Sequence, residues 1–321
     1  MKNDMQNGIV PVQKQAHAPG LMVHSEQNVQ VSDTTGADSS TAAGFLKKIS
    51  LLALVVCMAF AGKAQFYYND VLSANQSKAQ YLLLKSNHVK KVKALSYEAD
   101  GTQSEDFLVE QVINADASKI VTTTALSNGS KFAMTAYYQN GNLVKTEEKQ
   151  SRDVDITVTY SYDNQGRVLR IESGSADTSV NYSLSEVHIW HYNGNRADTM
   201  WKIKENTDTT IVTFVYDDKG NLGEEHWKRK GKETEAYFYY YDAANRLTDI
   251  VRYDENIKKM LPDFLFVYDA DGRLGEFTQV SAGVNNYLIW RYFYDDKGLK
   301  RKEVCFDKRK RMVGKIEYTY E

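Results

Sequence analysis

Several residues in this chain are of types that do chemistry elsewhere, and their spacing decides how much each can do. His188 and His191 invite a metal reading. On a strand, however, positions three apart face opposite sides, and one ion needs both nitrogens on one side. Glu224-Glu225-His226-Trp227 sets carboxylates beside an imidazole, as a general acid–base pair would require. Glu224 and His226 share a strand face there, and an ordinary same-face contact accounts for them. A glycan-active enzyme would need two carboxylates facing one cleft, with Glu224 and Asp249 as the pair. The recurring aspartates suggest calcium, but the Asp-x-Asn-x-Asp spacing of a calcium loop is missing. No Gly-rich phosphate loop leads from a strand into a helix, and no Gly-x-Ser-x-Gly elbow occurs. The expectation is a non-enzymatic protein with no catalytic residues, metal or cofactor.

Two groups suit binding better than catalysis. Trp190, Trp201, Trp227 and Trp290, with Tyr239, could line a stacking platform for the apolar faces of sugar rings. The same rings could instead be cross-strand pairs that stabilise a sheet. Lys300-Arg301-Lys302 and Lys308-Arg309-Lys310-Arg311 could meet an anionic envelope polymer such as lipopolysaccharide. The competing reading is that these charges blunt an exposed terminal strand against edge pairing. Cys305, on an expected strand, reads as a small buried hydrophobe.

What must position these residues is a repeated unit. Phe266-Val267-Tyr268-Asp269-Ala270-Asp271-Gly272-Arg273-Leu274 reads strand, tight turn, strand. Asp269 can bond the backbone two residues on, and Gly272 supplies the positive φ that closes a hairpin through a bulge. The grammar returns at Tyr97–Gly101, Tyr137–Leu143, Tyr162–Val168, Tyr216–Leu222 and Tyr294–Gly298. At Tyr241–Leu247 the glycine becomes Asn245, the residue that best tolerates the left-handed region. The copy around Trp190–Arg196 is irregular, and Ile113–Asp116 is a glycine-free echo. From Tyr137 the spacing is roughly 25 residues, a repeat period.

These residues resemble the YD repeats of the Rhs family of bacterial surface and secreted proteins. The resemblance runs through most of the chain after Tyr97 and is strongest from Tyr160 to Leu299. It implies a β-hairpin array wound into a curved sheet, often a shell or a carbohydrate-contacting surface. The many further copies, the core segment and the C-terminal effector domain of Rhs proteins have no counterpart here. The chain also looks like uncharacterised exported repeat proteins of the Bacteroidetes type, which offer no activity to carry over.

Composition fits that picture. The 321 residues are 42% hydrophobic, include 22 tyrosines and carry a formal net charge of −2, which gives no global reason to bind nucleic acid. Residues 1–44 are polar and without apolar period, an expected disordered extension. Residues 45–64 read as a signal peptide. Lys47-Lys48 precede an apolar run from Ile49 to Ala61, and Gly62-Lys63-Ala64 places small residues for cleavage before Gln65. Cleavage would leave Cys305 as the one cysteine of the mature chain.

Residues 65–88 should hold a helical cap, with a short helix over Ser73–Lys85. Residues 89–321 should form the hairpin domain. Its strands include Ile211–Val215, Tyr237–Tyr241 and Tyr287–Phe293, several apolar on both faces. The expected fold is all-β, an array of antiparallel hairpins forming a curved or coiled meander sheet with a short N-terminal helix. The expected role is that of an exported scaffold or binding module of the periplasm, cell surface or exterior. Its possible partners are a carbohydrate or an envelope polyanion, with no nucleic acid and no membrane span after cleavage. A purely structural protein that self-associates through its sheet edges is the remaining alternative.

Overall fold

The computed structural model describes residues 68–125, 131–149, 154–177, 182–254, 258–280 and 287–321. The expected extension and signal peptide lie outside the described residues. One helix, α1 (Asn69–Ser86), precedes eighteen strands. They begin with β1 (Lys91–Glu98), β2 (Gln103–Ile113), β3 (Lys119–Ala125), β4 (Lys131–Gln139), β5 (Asn142–Lys149) and β6 (Val154–Tyr162). Next come β7 (Val168–Asp177), β8 (Tyr182–Asn193), β9 (Arg196–Lys204), β10 (Asp208–Tyr216), β11 (Leu222–Arg229) and β12 (Lys232–Tyr241). The chain finishes with β13 (Leu247–Asp254), β14 (Lys259–Tyr268), β15 (Leu274–Val280), β16 (Tyr287–Tyr294), β17 (Lys300–Asp307) and β18 (Met312–Tyr320).

Each strand pairs antiparallel with the next, and β18 then pairs with β1, from Val92 opposite Tyr320 to Glu98 opposite Gly314. The sheet is therefore a closed barrel. This corrects the expected open, curved or coiled meander: the hairpins are present, but the two terminal strands find each other and no edge remains. Closure satisfies the outer backbone groups of both terminal strands, which an open sheet would leave to water or to another chain.

Strand alternation sorts connections onto two rims. The Tyr-Asp turns all follow even-numbered strands, so all lie at one end, here the YD rim. The weak echo at Ile113–Asp116 occupies its proper slot there, with Ala117 at φ 57° in the glycine's place. The Tyr97–Gly101 turn follows β1 and lies at the opposite rim. Seven hairpins of the YD rim carry a register shift just before the repeat's tyrosine, as between Val267 and Tyr268. In the Asp269 turn, the side chain accepts the N–H groups of Asp271 and Arg273 at 3.0 and 2.8 Å. Gly272 sits at φ 80° and Asn245 at φ 58°, the left-handed conformation both positions require.

The core is inside the barrel. Along β10, Val212 and Phe214 are buried while Ile211 and Val215 are exposed. The helix lies across the YD mouth, longer at both ends than the expected Ser73–Lys85. Its Tyr68 end packs against Trp190, Phe214 and Tyr239, and near its other end Tyr81 stacks on Tyr138 at 4.3 Å. Ala74 joins a cluster built from β6 to β14, whereas Tyr81 and Leu84 join one with Val92, Ile120 and Leu299. Pro262 falls at a bulge between β13 and β14, where a missing donor does least harm. That bulge turns Asp263 into the interior, 1% exposed.

Candidate functional site

A buried polar cluster lies where the helix meets the barrel. Asp70, in the first turn of α1, accepts from His188 Nδ1 at 2.6 Å and from Trp190 Nε1 at 3.2 Å. His188 Nε2 donates to Glu186 at 3.0 Å, and Lys202 meets the same carboxylate at 2.9 Å. Strand parity brings Glu186, His188 and Trp190 to one inward face of β8. Burial works against charge on the imidazole, but Asp70 and Glu186 outweigh it and hold the His188 pKa up at about 9. Burial likewise opposes charge on Glu186, yet its bonds to His188 and Lys202 bring its pKa down to about 2. With a carboxylate on each nitrogen, the ring keeps both protons and has no lone pair to offer a substrate. An acid in the first turn also suits the helix dipole.

A second carboxylate secures the chain just ahead. Glu225 is fully buried and accepts the Tyr68 N–H at 3.1 Å, Trp227 Nε1–H at 2.6 Å and the Tyr239 hydroxyl at 2.5 Å. A helix leaves its first N–H groups without intrahelical partners, and here the barrel wall supplies one acceptor. Arg252 pairs with Asp263 at 3.1 Å elsewhere inside, where burial pushes the Asp263 pKa up to about 6 against the pull of that arginine. Glu303 accepts from Tyr318 at 2.9 Å and pairs with Lys300.

The rim tyrosines form a chain of latches. Tyr162, Tyr192, Tyr268, Tyr294 and Tyr320 donate to the carbonyls of Leu143, Val168, Leu247, Leu274 and Lys300, at 2.7–2.9 Å. Each acceptor lies two residues after the turn glycine or asparagine of the preceding hairpin. The arginine between reaches forward: Arg167, Arg246 and Arg273 pair with their own turn aspartates and lie over Tyr192, Tyr268 and Tyr294. The repeated Tyr-Asp and Gly-Arg-Leu letters thus tie successive hairpins together.

The sequence-derived candidates are scattered. Trp190, Trp227, Tyr239 and Trp290 point inward, between 2 and 8% exposed, and of the five platform residues Trp201 alone is exposed, at 42%. Trp201 lies on the outer wall opposite Ile189 and Ile211, with His191 5.1 Å away. His188 faces in and His191 out. His226 bridges Glu224 and Glu233 at 2.7 and 2.8 Å on the exterior. Glu224 and Asp249 sit on β11 and β13, with β12 between them. Cys305 is fully buried, and burial pushes its thiol up to about 12. Among the described residues, no group of three or more His, Cys, Asp or Glu is arranged to hold a metal ion.

Sequence reading missed Asp70, because the helix begins four residues earlier than its apolar pattern suggested. It noted Glu225 without its role. On a strand, Glu225 and Trp227 share a face, and that parity was the available signal. A cavity of about 440 Å³ opens at the YD rim between Tyr81, Leu82 and Lys85 of the helix and Asp116, Tyr138 and Asn140 of two turns.

No family model matches the chain, and no curated protein matches it. Among solved structures, it is similar to a porin-like protein of Bacteroides uniformis at 13% identity, over 73% of this chain and 96% of that one, with a TM-score of 0.37. A porin-like protein of Bacteroides vulgatus gives 12% identity, 73% and 98% coverage and a TM-score of 0.35. The Tc holotoxin pore of Photorhabdus luminescens gives 12% identity, with 74% of this chain covering 17% of that one, at a TM-score of 0.27. Likenesses this slight carry neither fold nor function; the closed barrel rests on its own strand pairings.

Proposed function

We propose that this protein is an exported, non-enzymatic barrel that works in a watery compartment of the cell envelope as a scaffold or binding module. The observation that carries the reading is the division between the two faces of the wall. The inner face holds the aromatic core and the capping helix. Beside exposed apolar residues such as Ile211 and Val215, the outer face carries ion pairs within the strands, such as Arg291 with Glu276 at 2.8 Å and His226 with Glu224 at 2.7 Å. A membrane-spanning barrel has the reverse plan, with an apolar outer band about 25 Å tall, and each Lys or Arg at its midplane costs about 2–4 kcal/mol. No helix among the described residues is long and apolar enough to cross a membrane, which says nothing of strands. Export is supported by the basic and apolar regions ahead of Gln65.

The non-enzymatic half of the reading is supported by the engagement of His188 and Glu225 in holding the helix. The test is to express the full chain, fractionate the cells and sequence the mature N-terminus. An N-terminus at Gln65 on a protein that stays monodisperse without detergent is the expected result. Recovery only from detergent-solubilised membranes would overturn the reading.

A further inference from the structure

The basic cluster near the end of the chain loses one of its two explanations once the barrel is closed. Lys308, Arg309, Lys310 and Arg311 cannot be shielding an open edge, because β18 is paired on both sides, with β17 and with β1. They form instead the exposed tip of the β17–β18 connection, on the rim opposite the YD turns. One other turn of that rim is also basic. The β11–β12 turn brings Lys228, Arg229, Lys230 and Lys232, all exposed, whereas in the β13–β14 connection Asp254 and Glu255 balance Lys258 and Lys259, and Asp254 is the register partner of Lys259.

Only part of this charge is neutralised. Arg229 pairs with Asp208 and Arg311 with Asp307. Lys228, Lys230, Lys232, Arg309 and Lys310 have no carboxylate partner among the described residues. The remaining arc of the rim has acidic turn residues, Asp100 and Glu205 among them. At the YD rim Asp163, Asp242 and Asp269 hold Arg167, Arg246 and Arg273. Net charge on the whole chain is only −2, so the excess is local.

Exposed apolar side chains stand among these cations. Tyr253 and Met260 are register partners at the foot of the β13–β14 connection, and Met312 opens β18 beside the basic tip. Their exposures are 38, 41 and 37%.

We propose that this rim docks end-on against an anionic lipid surface. The two basic turns are separate prongs along an arc, six strand intervals or roughly 29 Å apart. An extended polyanion asks for a continuous groove, whereas prongs at one end of a barrel suit a plane. Lysines and arginines near an anionic leaflet add attraction one by one, and thioether and phenol groups between them can enter the interfacial layer. Docking rests on the water-facing wall argued above, because a barrel embedded in lipid could not present its rim in this way.

The test uses the mature chain, residues 65–321, sedimented with phosphatidylcholine vesicles and with vesicles containing 30% phosphatidylglycerol, at about 50 and 300 mM salt. Binding to the anionic vesicles alone, weakened at high salt, is expected. The variant K228E/K230E/R309E/K310E should partition at least about 600-fold less, at roughly fivefold for each of four cations. A control, K219E/K297E at the YD rim, should bind as the parent does, and circular dichroism melting checks that both variants fold. Equal binding by the rim variant, binding to neither vesicle, or capture by soluble polyphosphate without vesicle binding would each overturn the proposal. A protein that stayed soluble without binding would refute docking alone. One that required detergent would refute the water-facing reading instead.

Discussion

Asp70 and His188 meet at 2.6 Å across 118 residues of sequence, and their contact pins the capping helix to the barrel wall. Removing the imidazole leaves Asp70 and Glu186 facing each other in a buried site. His188→Ala is expected to cost about 3–5 kcal/mol, the penalty for breaking a buried ion pair. His226→Ala, on the exposed outer wall, should cost at most about 1 kcal/mol. Urea unfolding of the two variants checks the contrast, and equal losses would remove the helix anchor from the account.

The same residues set a pH dependence. His188 holds its proton to about pH 9 when folded, against 6.5 as an unperturbed group, so the folded state binds more protons in that interval. Its contribution is complete below pH 6.5 and is lost as pH rises through 9. Glu186 works in the other direction: its pKa falls from 4.5 to about 2, so its contribution is complete above 4.5 and is lost as pH falls toward 2. The helix anchor should be strongest between about pH 4.5 and 6.5. Unfolding midpoints measured from pH 4 to 10 should decline on the alkaline side, and His188→Asn should flatten that decline.

The tyrosine latches should be individually small and collectively large. Tyr294→Phe removes one half-buried hydrogen bond to Leu274 and is expected to cost about 0.5–1.5 kcal/mol. Combining it with Tyr162→Phe, far around the barrel, should give nearly additive losses. Double-variant unfolding midpoints decide this; no loss in either single variant would leave the tyrosines as packing alone.

Asn245 stands where its sister turns have glycine. Asn245→Gly should be neutral or stabilise slightly, while Gly272→Ala should cost about 1–2 kcal/mol for the left-handed conformation. Thermal melting compares them, and a harmless Gly272→Ala would contradict the turn assignment.

How much of this was legible depends on how far apart the cooperating residues lie. The hairpin turns could be read because Asp269, Gly272 and Asn245 encode backbone conformation within five residues. Closure could not, since Val92 and Tyr320 meet only after every intervening hairpin has added its share of twist. The aromatic platform could not be judged either. Tyr237 and Tyr239 face in and Tyr240 faces out, but each bulge resets the alternation, and sequence does not mark which side becomes the lumen. A helical cap is legible over residues 65–88, but only closure makes it the cap of a mouth and gives Asp70, His188 and Glu225 their roles.

Closure of the ring is the claim on which the rest depends, and the Lys93–Thr319 register pair tests it most directly. Facing Cα atoms of an antiparallel pair lie about 4.5–5.5 Å apart, within disulfide reach. Lys93→Cys with Thr319→Cys, placed in residues 65–321 and oxidised at low protein concentration, should form an intramolecular disulfide in nearly every molecule while Cys305 stays buried. Free thiols after oxidation, or dimers in place of linked monomers, would mean that β1 and β18 do not pair and that the barrel is open.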